Sequence, residues 1–359
     1  MIAKRHDALG VALIGAGSFG RRRAEAVAES ARSEIVTVAD PVAARAVELA
    51  DRLDCDATAN WRQAAAHGEV EAVIISTPPN VAPAIARFAL SAGKHVLVEK
   101  PFGRSAQELW PVVDAARRNH VLLKAGYNHR YHPAMQTARQ MFADGVVGKL
   151  LHLTCTYGHG GRPGYEREWR TAAAVAGGGE LLDQGVHAID LFRWFAGDFD
   201  EAFAFLATSC WPIAPAEDNA FALLRTAGGV VAQLHASWTL WKNVFRFDLA
   251  GELGSLSASG LGRSYGPERL VWTARGSGGE PEQKTFEFLG ADDSLACEWD
   301  DFLDAIDEGR EPMSGAADAA RTLEHCDALY ASARERRIVR VDEFQEQSQA
   351  AQAAGARSR

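Results

Sequence analysis

Asp183 and His187 are the residues whose types and spacing most directly suggest catalysis. Glycines 177–179 predict the end of a loop, and apolar residues at helical spacing after them predict a helix that starts here. Side chains four residues apart share a helix face, so the two are expected to touch. A carboxylate beside an imidazole can orient a general base. A helix-capping Asp and a core His remain the structural alternative.

Lys100 is the second candidate for chemistry. It follows the apolar strand His95–Val98, within the tripeptide Glu99-Lys100-Pro101. A cis bond before Pro101 would aim the ammonium into a ligand cleft, where it could hydrogen-bond a substrate hydroxyl and lower that hydroxyl's pKa. A surface lysine at a strand end is the alternative.

A glycine-rich turn near the start of the sequence is expected to position a bound diphosphate. Val11–Ile14 predicts a buried strand and Arg21–Ser30 a helix, and Gly15-Ala16-Gly17-Ser18-Phe19-Gly20 lies between them. Gly15 permits a tight turn, Gly17 lets a diphosphate approach the backbone, and Gly20 lets helix and strand pack closely.

Asp40 predicts which dinucleotide binds. It ends the next predicted strand, Glu34–Asp40, where a carboxylate accepts hydrogen bonds from ribose hydroxyls and repels a 2′-phosphate. The sequence therefore favours NAD over NADP. The arginines Arg21 to Arg23 leave NADP open, although their place inside the helix favours solvent or the diphosphate as their partner.

Strands and helices then alternate, which predicts a parallel, doubly wound sheet. The ends of parallel strands meet at one edge, so Gly15, Asp40, Thr77 and Lys100 are expected there together. The strands are Glu71–Thr77, His95–Val98 and Val121–Leu123; the helices are Val81–Ala92 and Ser105–Asn119, in which Pro111 implies a late start or a kink.

From about Gly126 the pattern changes to long strands after one helix, Pro133–Ala143, which predicts a mostly antiparallel open sheet. Thr226–Gly229 has the composition of a hairpin turn. The predicted strands are Leu150–Tyr157, Glu201–Trp211, Ala220–Arg225, Val230–Thr239, Val244–Gly251, Leu270–Ala274 and Thr285–Leu289. Helices Ser294–Glu308 and Gly315–Arg336 and a short strand, Ile338–Val341, follow.

The predicted fold class is therefore α/β, with two domains. Residues 1–126 form a nucleotide-binding domain with the parallel sheet, and residues 127–345 form an α+β domain for substrate binding and oligomerisation. Residues 346–359, rich in Ala, Gln and Ser, are predicted to be a disordered tail.

A polar, glycine-rich segment from Tyr157 to Gly179 leads into the Asp183/His187 helix. Loops this long in compact domains are usually functional. Its aromatic and charged side chains suit a polyhydroxylated ligand, since rings stack on sugar faces and charged groups bond hydroxyls. Tyr157, His159, Arg162 and Tyr165 are the substrate-binding candidates.

Composition excludes several classes of protein. The 359 residues carry a net charge of −9, which disfavours nucleic acid as a partner. No run of 18 apolar residues occurs and no signal-peptide core follows the N-terminus, so a cytoplasmic protein that does not enter the membrane is expected. The five scattered cysteines fit reduced thiols and no zinc spacing, so no metal is expected.

Taken together, the motifs resemble the Gfo/Idh/MocA oxidoreductases, named for glucose–fructose oxidoreductase and inositol dehydrogenase. The resemblance spans roughly Ala8 to Phe344. It rests on Gly15-x-Gly17-x-x-Gly20, Glu99-Lys100-Pro101, Asn128-His129-Arg130, Glu168-Trp169-Arg170 and Gly179-x-x-x-Asp183-x-Gly185-x-His187-x-x-Asp190.

The resemblance implies a Rossmann domain, dimers or tetramers formed through the C-terminal sheet, and roles for individual residues. Lys100 would lie near the reacting hydroxyl, His187 would be the general acid/base, and Asp183 would support the site. Cofactor contacts are implied for Ser18, Phe19, Thr77, Pro78, Asn80, Glu99 and Asn128, with Trp169 and Arg170 near the nicotinamide. Many members have a histidine three residues after the position of Asn80, where this sequence has Pro83, so one cofactor contact is in doubt.

The predicted activity is NAD-dependent oxidation of a secondary ring hydroxyl to a ketone. His187 would take the hydroxyl proton and Lys100 would stabilise the alkoxide while hydride leaves to nicotinamide C4. The expected substrate is a sugar, nucleotide sugar, aminoglycoside-type pseudosaccharide or cyclitol, with free inositol less favoured. The resemblance to family members that act in aminosugar pathways suggests a keto-sugar product. An NAD-dependent glycoside hydrolase and a non-catalytic dinucleotide sensor are the alternatives.

Overall fold

The computed structural model describes residues 8–262, 264–276 and 278–344, which divide into two compact units. The first contains residues 8–103, 107–127 and 295–320, and the second contains residues 104–106, 128–294 and 321–344. The predicted boundary after residue 126 lies one residue from the observed one, but residues 295–320 belong to the first unit. The predicted tail, residues 346–359, lies outside the described residues.

The first unit contains a six-stranded parallel sheet in the order β3-β2-β1-β4-β5-β6, as predicted for a Rossmann domain. Its strands are β1 (Leu9–Ile14), β2 (Ser33–Ala39), β3 (Asp56–Thr58), β4 (Ala72–Ile75), β5 (His95–Glu99) and β6 (Leu123–Gly126). Its helices are α1 (Ser18–Glu29), α2 (Ala43–Leu53), α3 (Trp61–Ala65), α4 (Ala82–Ser91) and α5 (Ala106–Asn119).

The second unit contains a nine-stranded sheet, and only its central β10–β7 pair is parallel. Its order is β14-β13-β12-β11-β7-β10-β9-β8-β15. The strands are β7 (Leu150–Gly158), β8 (Glu201–Ala207), β9 (Asn219–Arg225), β10 (Val231–Ser237), β11 (Val244–Gly251), β12 (Gly254–Ser259), β13 (Glu268–Ala274), β14 (Gln283–Phe288) and β15 (Val339–Arg340). The remaining helices are α6 (Pro133–Ala143), α7 (Ala173–Ala176), α8 (Val186–Ala196), α9 (Ser294–Glu308) and α10 (Ala316–Glu335).

Most predicted elements are confirmed, including the β9–β10 hairpin. The Lys100–Pro101 bond is cis, which is the condition under which the sequence predicts that Lys100 points into a ligand cleft. Three details of the prediction are wrong. The strand predicted over Glu201–Trp211 ends at Ala207, and the one predicted over Val121–Leu123 occupies Leu123–Gly126. Pro111 lies inside a helix that already begins at Ala106, so there is no late start.

Helix α9 belongs to the first unit because its apolar side packs into that unit's core. Trp299, Phe302 and Leu303 are buried in the cluster that contains residues of β1, α1 and α2. The Trp299 indole N–H also donates to Ser33 Oγ at 2.9 Å. No helix in the described part of the chain is long and apolar enough to cross a membrane.

The two faces of the nine-stranded sheet differ in burial. Alternate residues of β8, β9 and β10 are buried on one face, whereas the other face leaves large apolar side chains in solvent. The exposed fractions are 66% for Phe205, 47% for Phe221, 46% for Leu223 and 37% for Val231. Exposed apolar patches of this kind mark interaction surfaces.

A buried ion pair joins α8 to the 3-10 turn formed by residues 128–131. The Arg130 guanidinium donates to both carboxylate oxygens of Asp190, at 2.8 and 2.6 Å. Both side chains are almost completely buried. The pair therefore fixes the end of α8 that carries His187 against the turn that carries His129.

We expect Asp190→Ala to lower the free energy of unfolding by about 3–5 kcal/mol, because it leaves the Arg130 charge buried without its carboxylate. Asp307→Ala is the control, because it breaks an exposed pair with Arg32 and should cost only about 0–1 kcal/mol. Urea unfolding followed by tryptophan fluorescence measures both. Equal losses in the two variants would contradict a structural role for the buried pair.

Candidate active site

The glycine-rich turn between β1 and α1 has the shape of a dinucleotide cradle. A Cβ at Gly15 would lie 2.4 Å from Ser76 O, and one at Gly20 would lie 1.9 Å from Gly15 O, so neither position accepts a side chain. Nothing lies within 4 Å of the corresponding point at Gly17. No side chain caps α1, which begins at Ser18 beside the half-buried Phe19, so its first backbone N–H groups suit a diphosphate.

Asp40 is buried beside this turn. Its Oδ2 accepts from the N–H of Ala16 at 2.9 Å, and its Oδ1 accepts from the N–H of Val42 at 2.8 Å. The carboxylate thus fixes the turn. Because each oxygen has two lone pairs, capacity to accept from ribose hydroxyls remains.

Arg21 and Arg23 on α1 are paired with carboxylates. Arg21 forms a bidentate pair with Glu48 on α2, at 2.8 and 2.9 Å. Arg23 is buried and bonds Glu99, and its Nη2 lies 2.5 Å from Glu298 on α9. The Arg22 guanidinium lies over the Phe19 ring, 5.1 Å from its centre.

Glu99, which is expected beside the cofactor, is therefore also the ion-pair partner of Arg23. Burial raises the pKa of Glu99, and the Arg23 charge opposes this rise. Lys100 follows it, half-buried, at the end of β5.

Thr77, Pro78 and Asn80 lie in the turn after β4, at the same sheet edge as Gly15 and Lys100. Within the described residues, Thr77 Oγ1 is buried and has no hydrogen-bond partner, so a polar ligand group at this edge would satisfy it. Pro83 lies in the first turn of α4, where proline is well tolerated.

In the second unit, Glu217 anchors the glycines that precede Asp183. Its carboxylate accepts from the N–H groups of Gly179, at 3.0 Å, and Leu181, at 3.1 Å, and from the Tyr330 hydroxyl at 2.8 Å. Close packing explains the glycines: a Cβ at Gly178 would lie 1.9 Å from the Tyr330 oxygen, and one at Gly179 would lie 2.0 Å from Glu217 O.

The predicted helix begins as a π-helical turn, Leu181–Gly185, and becomes α-helical at Val186. This differs from the continuous α-helix on which the prediction that Asp183 touches His187 rested, because π turns bond i to i+5. Asp183 Oδ2 lies 3.5 Å from the Tyr165 hydroxyl, and its Oδ1 lies 3.7 Å from Arg170 Nε. Turns of this kind are frequent at functional sites.

His187 is stacked on His129. The ring centres are 3.7 Å apart with 14° between planes, and both side chains are buried. His129 Nε2 lies 3.0 Å from the Tyr157 hydroxyl, and the Tyr157 ring lies 5.3 Å from that of Tyr265, centre to centre. Burial raises the pKa of Tyr157 well above its ordinary value and that of Tyr265 to about 12.

The remaining loop residues form a compact group. Tyr165 is buried among Trp211, Trp238 and their neighbours, and burial raises the pKa of its hydroxyl. The ring of His159 packs edge-on against Tyr165, and its Nδ1 accepts from Gly161 N at 2.8 Å.

The basic side chains of the loop have acidic neighbours. Arg162 lies 2.6 Å from Glu168, and the Arg170 guanidinium lies 3.6 Å from Glu168 and over the Trp169 ring. Asn128 Nδ2 donates to Ser294 Oγ at 2.9 Å. Among the residues that the structure describes, no three His, Cys, Asp or Glu side chains converge as metal ligands would.

Sequence reasoning gave no individual role to His129, Glu217 or Asp218. Asp218 accepts from the backbone N–H groups of Ser209, Cys210 and Trp211, and these bonds lower its pKa although burial opposes them. His129 lies within a noted motif, but its stacking on His187 depends on tertiary packing. The consecutive acids Glu217 and Asp218, just after a proline, are the one local signal for the other two.

Comparison with known proteins defines the class of protein. Residues 9–127 match an oxidoreductase family with an NAD-binding Rossmann fold, and residues 135–257 match a GFO/IDH/MocA C-terminal domain. The chain is thus an NAD(P)-dependent oxidoreductase. It belongs to the Gfo/Idh/MocA family, as the resemblance indicated.

Individual relatives cover most of the chain. It is 31% identical over 320 residues to the rhizopine catabolism protein MocA of Rhizobium meliloti, covering 87% of this chain and 90% of that protein. It is 27% identical to an inositol 2-dehydrogenase of the same species, over 92% of this chain and 98% of the relative. A levoglucosan dehydrogenase solved with NADH and levoglucosan is 25% identical, with a TM-score of 0.85 over 93% of this chain and 99% of that one.

Proposed function

We propose that this protein oxidises a secondary ring hydroxyl of a neutral cyclic polyol, a sugar or a cyclitol, to a ketone with NAD⁺ as acceptor. The single observation that carries the proposal is the buried imidazole of His187, packed near the Tyr157 ring, in a chain whose other unit has a dinucleotide cradle. The names of the relatives, which include inositol and levoglucosan dehydrogenases, support the substrate class.

In this proposal His187 takes the hydroxyl proton and Lys100 stabilises the alkoxide as it forms. Asp183 orients the hydroxyl or shares the proton, and is itself positioned by Tyr165 and Arg170. The cofactor, when bound, supplies a nicotinamide that accepts the hydride. Gly15, Gly17, Ser18 and Phe19 would hold its diphosphate, and Thr77, Pro78, Asn80, Glu99, Asn128, Trp169 and Arg170 are the further residues proposed beside it.

The charge pattern of the loop favours a substrate without a phosphate handle. Arg162 and Arg170 have carboxylate neighbours, and Arg167 lies 3.5 Å from Glu166. A diphosphate would have to displace these carboxylates, whereas neutral hydroxyls can bond to Tyr157, His159 and the existing ion pairs. A pyranoside, anhydrosugar, pseudosaccharide or cyclitol therefore fits better than a nucleotide sugar.

NAD is the proposed cofactor in preference to NADP. The Asp40 carboxylate would repel a 2′-phosphate. The pairs of Arg21 with Glu48 and of Arg23 with Glu99 and Glu298 occupy two of the arginines that could otherwise receive that phosphate.

We also propose that the protein forms homodimers or homotetramers through the open face of its nine-stranded sheet. Phe205, Phe221, Leu223 and Val231 lie together on this face because β8, β9 and β10 are paired in register. Burying these side chains against a second copy removes apolar surface from water.

We expect His187→Gln and Lys100→Met each to lower kcat by about 10²–10⁴-fold, the usual contribution of a positioned acid or base. NADH affinity, measured by fluorescence titration, should change little. The assay follows NADH absorbance with NAD⁺ and a panel of pyranosides, anhydrosugars, cyclitols and nucleotide sugars.

His120→Asn, at an exposed position directly after α5, is the control and should keep full activity. Near-wild-type rates in either site variant would show that the role assigned to that residue is wrong. Release of free sugar without net NADH would instead indicate the glycosidase alternative, and no reaction with any substrate would contradict the proposed activity.

For the cofactor, we expect wild-type protein to bind NADH at least about tenfold more tightly than NADPH, and Asp40→Asn to reduce that ratio. The substitution removes the charge that repels the 2′-phosphate at nearly constant size. Fluorescence titration with both cofactors measures the ratio, and Asp56→Asn, on the exposed neighbouring strand β3, is the control. A preference for NADPH in the wild type would contradict the assignment.

For the assembly, we expect Leu223→Asp to convert the oligomer to monomer at micromolar concentration, because a carboxylate would be buried in an apolar interface. Val47→Asp is the matched control, since Val47 lies on α2 in the first unit and, at 47%, is exposed to nearly the same extent. Sedimentation velocity measures the mass. A monomeric wild type, or an unchanged mass in Leu223→Asp, would contradict the proposed interface.

A further inference from the structure

The stacked pair of His129 and His187 has a consequence for protonation. The ring centres are only 3.7 Å apart, so two imidazolium charges would repel strongly in this buried position. The pair is therefore expected to hold one proton readily and a second only at much lower pH. Which ring holds the first proton decides whether His187 can act as a base.

His129 is better suited than His187 to hold that proton, because an oxygen atom lies near each of its two ring nitrogens. Nδ1 lies 3.3 Å from Asn128 Oδ1, and Nε2 lies 3.0 Å from the Tyr157 hydroxyl oxygen. The orientation of the Asn128 amide is fixed, since its Nδ2 donates to Ser294 Oγ, which donates to Asp292 Oδ1 at 2.6 Å. Asn128 Oδ1 is thus left to accept from His129 Nδ1.

The Tyr157 hydroxyl oxygen can accept a hydrogen bond from His129 Nε2, because the hydroxyl hydrogen can point towards Tyr265 instead. The Tyr157 ring lies 5.3 Å from the Tyr265 ring, centre to centre, and the Tyr265 hydroxyl accepts from Gln184 Nε2 at 3.1 Å. Tyr157 can therefore direct its hydrogen to Tyr265 and present its oxygen to a doubly protonated His129.

Ionisable groups around the pair, within the second unit, also favour one positive charge. Glu180 and Asp183, from the π-helical turn, act electrostatically on Tyr157 and Tyr265. His132, whose ring contacts that of His129, is paired with Glu268, and Arg130 is paired with Asp190. Glu180 and Asp183 thus favour a charge on His129, while Arg170, 3.7 Å from Asp183, opposes part of that effect.

We propose that His129 is a positioning residue that carries the resident proton of the pair and so keeps His187 neutral. This inference rests on the proposed function, in which a neutral His187 accepts the proton of the substrate hydroxyl. Stacking also holds the His187 ring in one orientation. Neutral His187 would then persist to lower pH than an isolated buried histidine in the same acidic surroundings.

The test is a pH titration of the full chain labelled with [¹³Cε1]-histidine, followed by NMR without cofactor or substrate. The variants His187→Gln and His129→Phe assign the two signals. In the wild type we expect the His129 signal to titrate at higher pH than that of His187. His129→Phe keeps a stacked ring but cannot hold the proton, so the His187 midpoint should rise by about one pH unit or more.

His129→Arg supplies a permanent charge on a planar group, and the His187 midpoint should stay at or below its wild-type value. His120→Asn, at an exposed position directly after α5, is the control and should leave the midpoint unchanged. If His129→Phe does not fold, the order of the two wild-type midpoints, assigned with His129→Asn, decides.

A His129 that stays neutral while His187 titrates, or a His187 midpoint unchanged in His129→Phe, would overturn the proposal. Because the readout needs no turnover, its failure is distinguishable from failure of the proposed function, which the substrate panel tests.

Discussion

The candidate site in the second unit depends on the hydrogen bonds that the buried Glu217 carboxylate accepts. It binds the backbone N–H groups of Gly179 and Leu181 and the hydroxyl of Tyr330 on α10. Burial raises the pKa of Glu217, and these hydrogen bonds oppose the rise by stabilising its charge. Its backbone oxygen also accepts from the N–H of Glu180. The turn that carries Asp183 and His187 thus begins at a point fixed by one buried side chain.

The first unit uses a buried charge in a comparable way. Arg23 lies on the helix that follows the glycine-rich turn, and it bonds Glu99, the residue before Lys100, and Glu298 on α9. One guanidinium therefore connects the cofactor cradle to the strand end that carries the candidate lysine. Buried charges are costly unless paired, so such a group is better understood as setting geometry than as adding stability.

The sequence predicts the fold well where the spacing of apolar residues and the turn glycines indicate the same element bounds, as in the β9–β10 hairpin and helix α6. It fails where the signal is short or nonlocal. Strand β12 has the sequence Gly-Ser-Leu-Ser-Ala-Ser and lacks the β-branched and aromatic residues that indicate strands. The membership of α9 in the first unit depends on packing against residues more than 250 positions away, which no local pattern encodes.

The same limit applies to the candidate site. The motifs identify Asp183, His187 and Lys100 as catalytic candidates, because each lies at a recognisable strand end or helix start. The π-helical turn is not predictable, since Leu181–Gly185 has the same apolar spacing that an α-helix would have. The stacking of His129 on His187 joins residues 58 positions apart through tertiary packing alone.

The buried tyrosines of the second unit bear on which side chain could act as the base. Burial raises the pKa of Tyr157 and Tyr165, and that of Tyr265 to about 12, with Asp183 and Glu180 adding to each effect. These hydroxyls therefore remain protonated throughout the neutral and mildly alkaline range, and they can donate hydrogen bonds but cannot remove a proton from a substrate. Of the side chains grouped here, an imidazole is the one whose ordinary titration range suits a base near pH 7. Proton transfer is therefore the role that we propose for the His187 imidazole and not for these tyrosines.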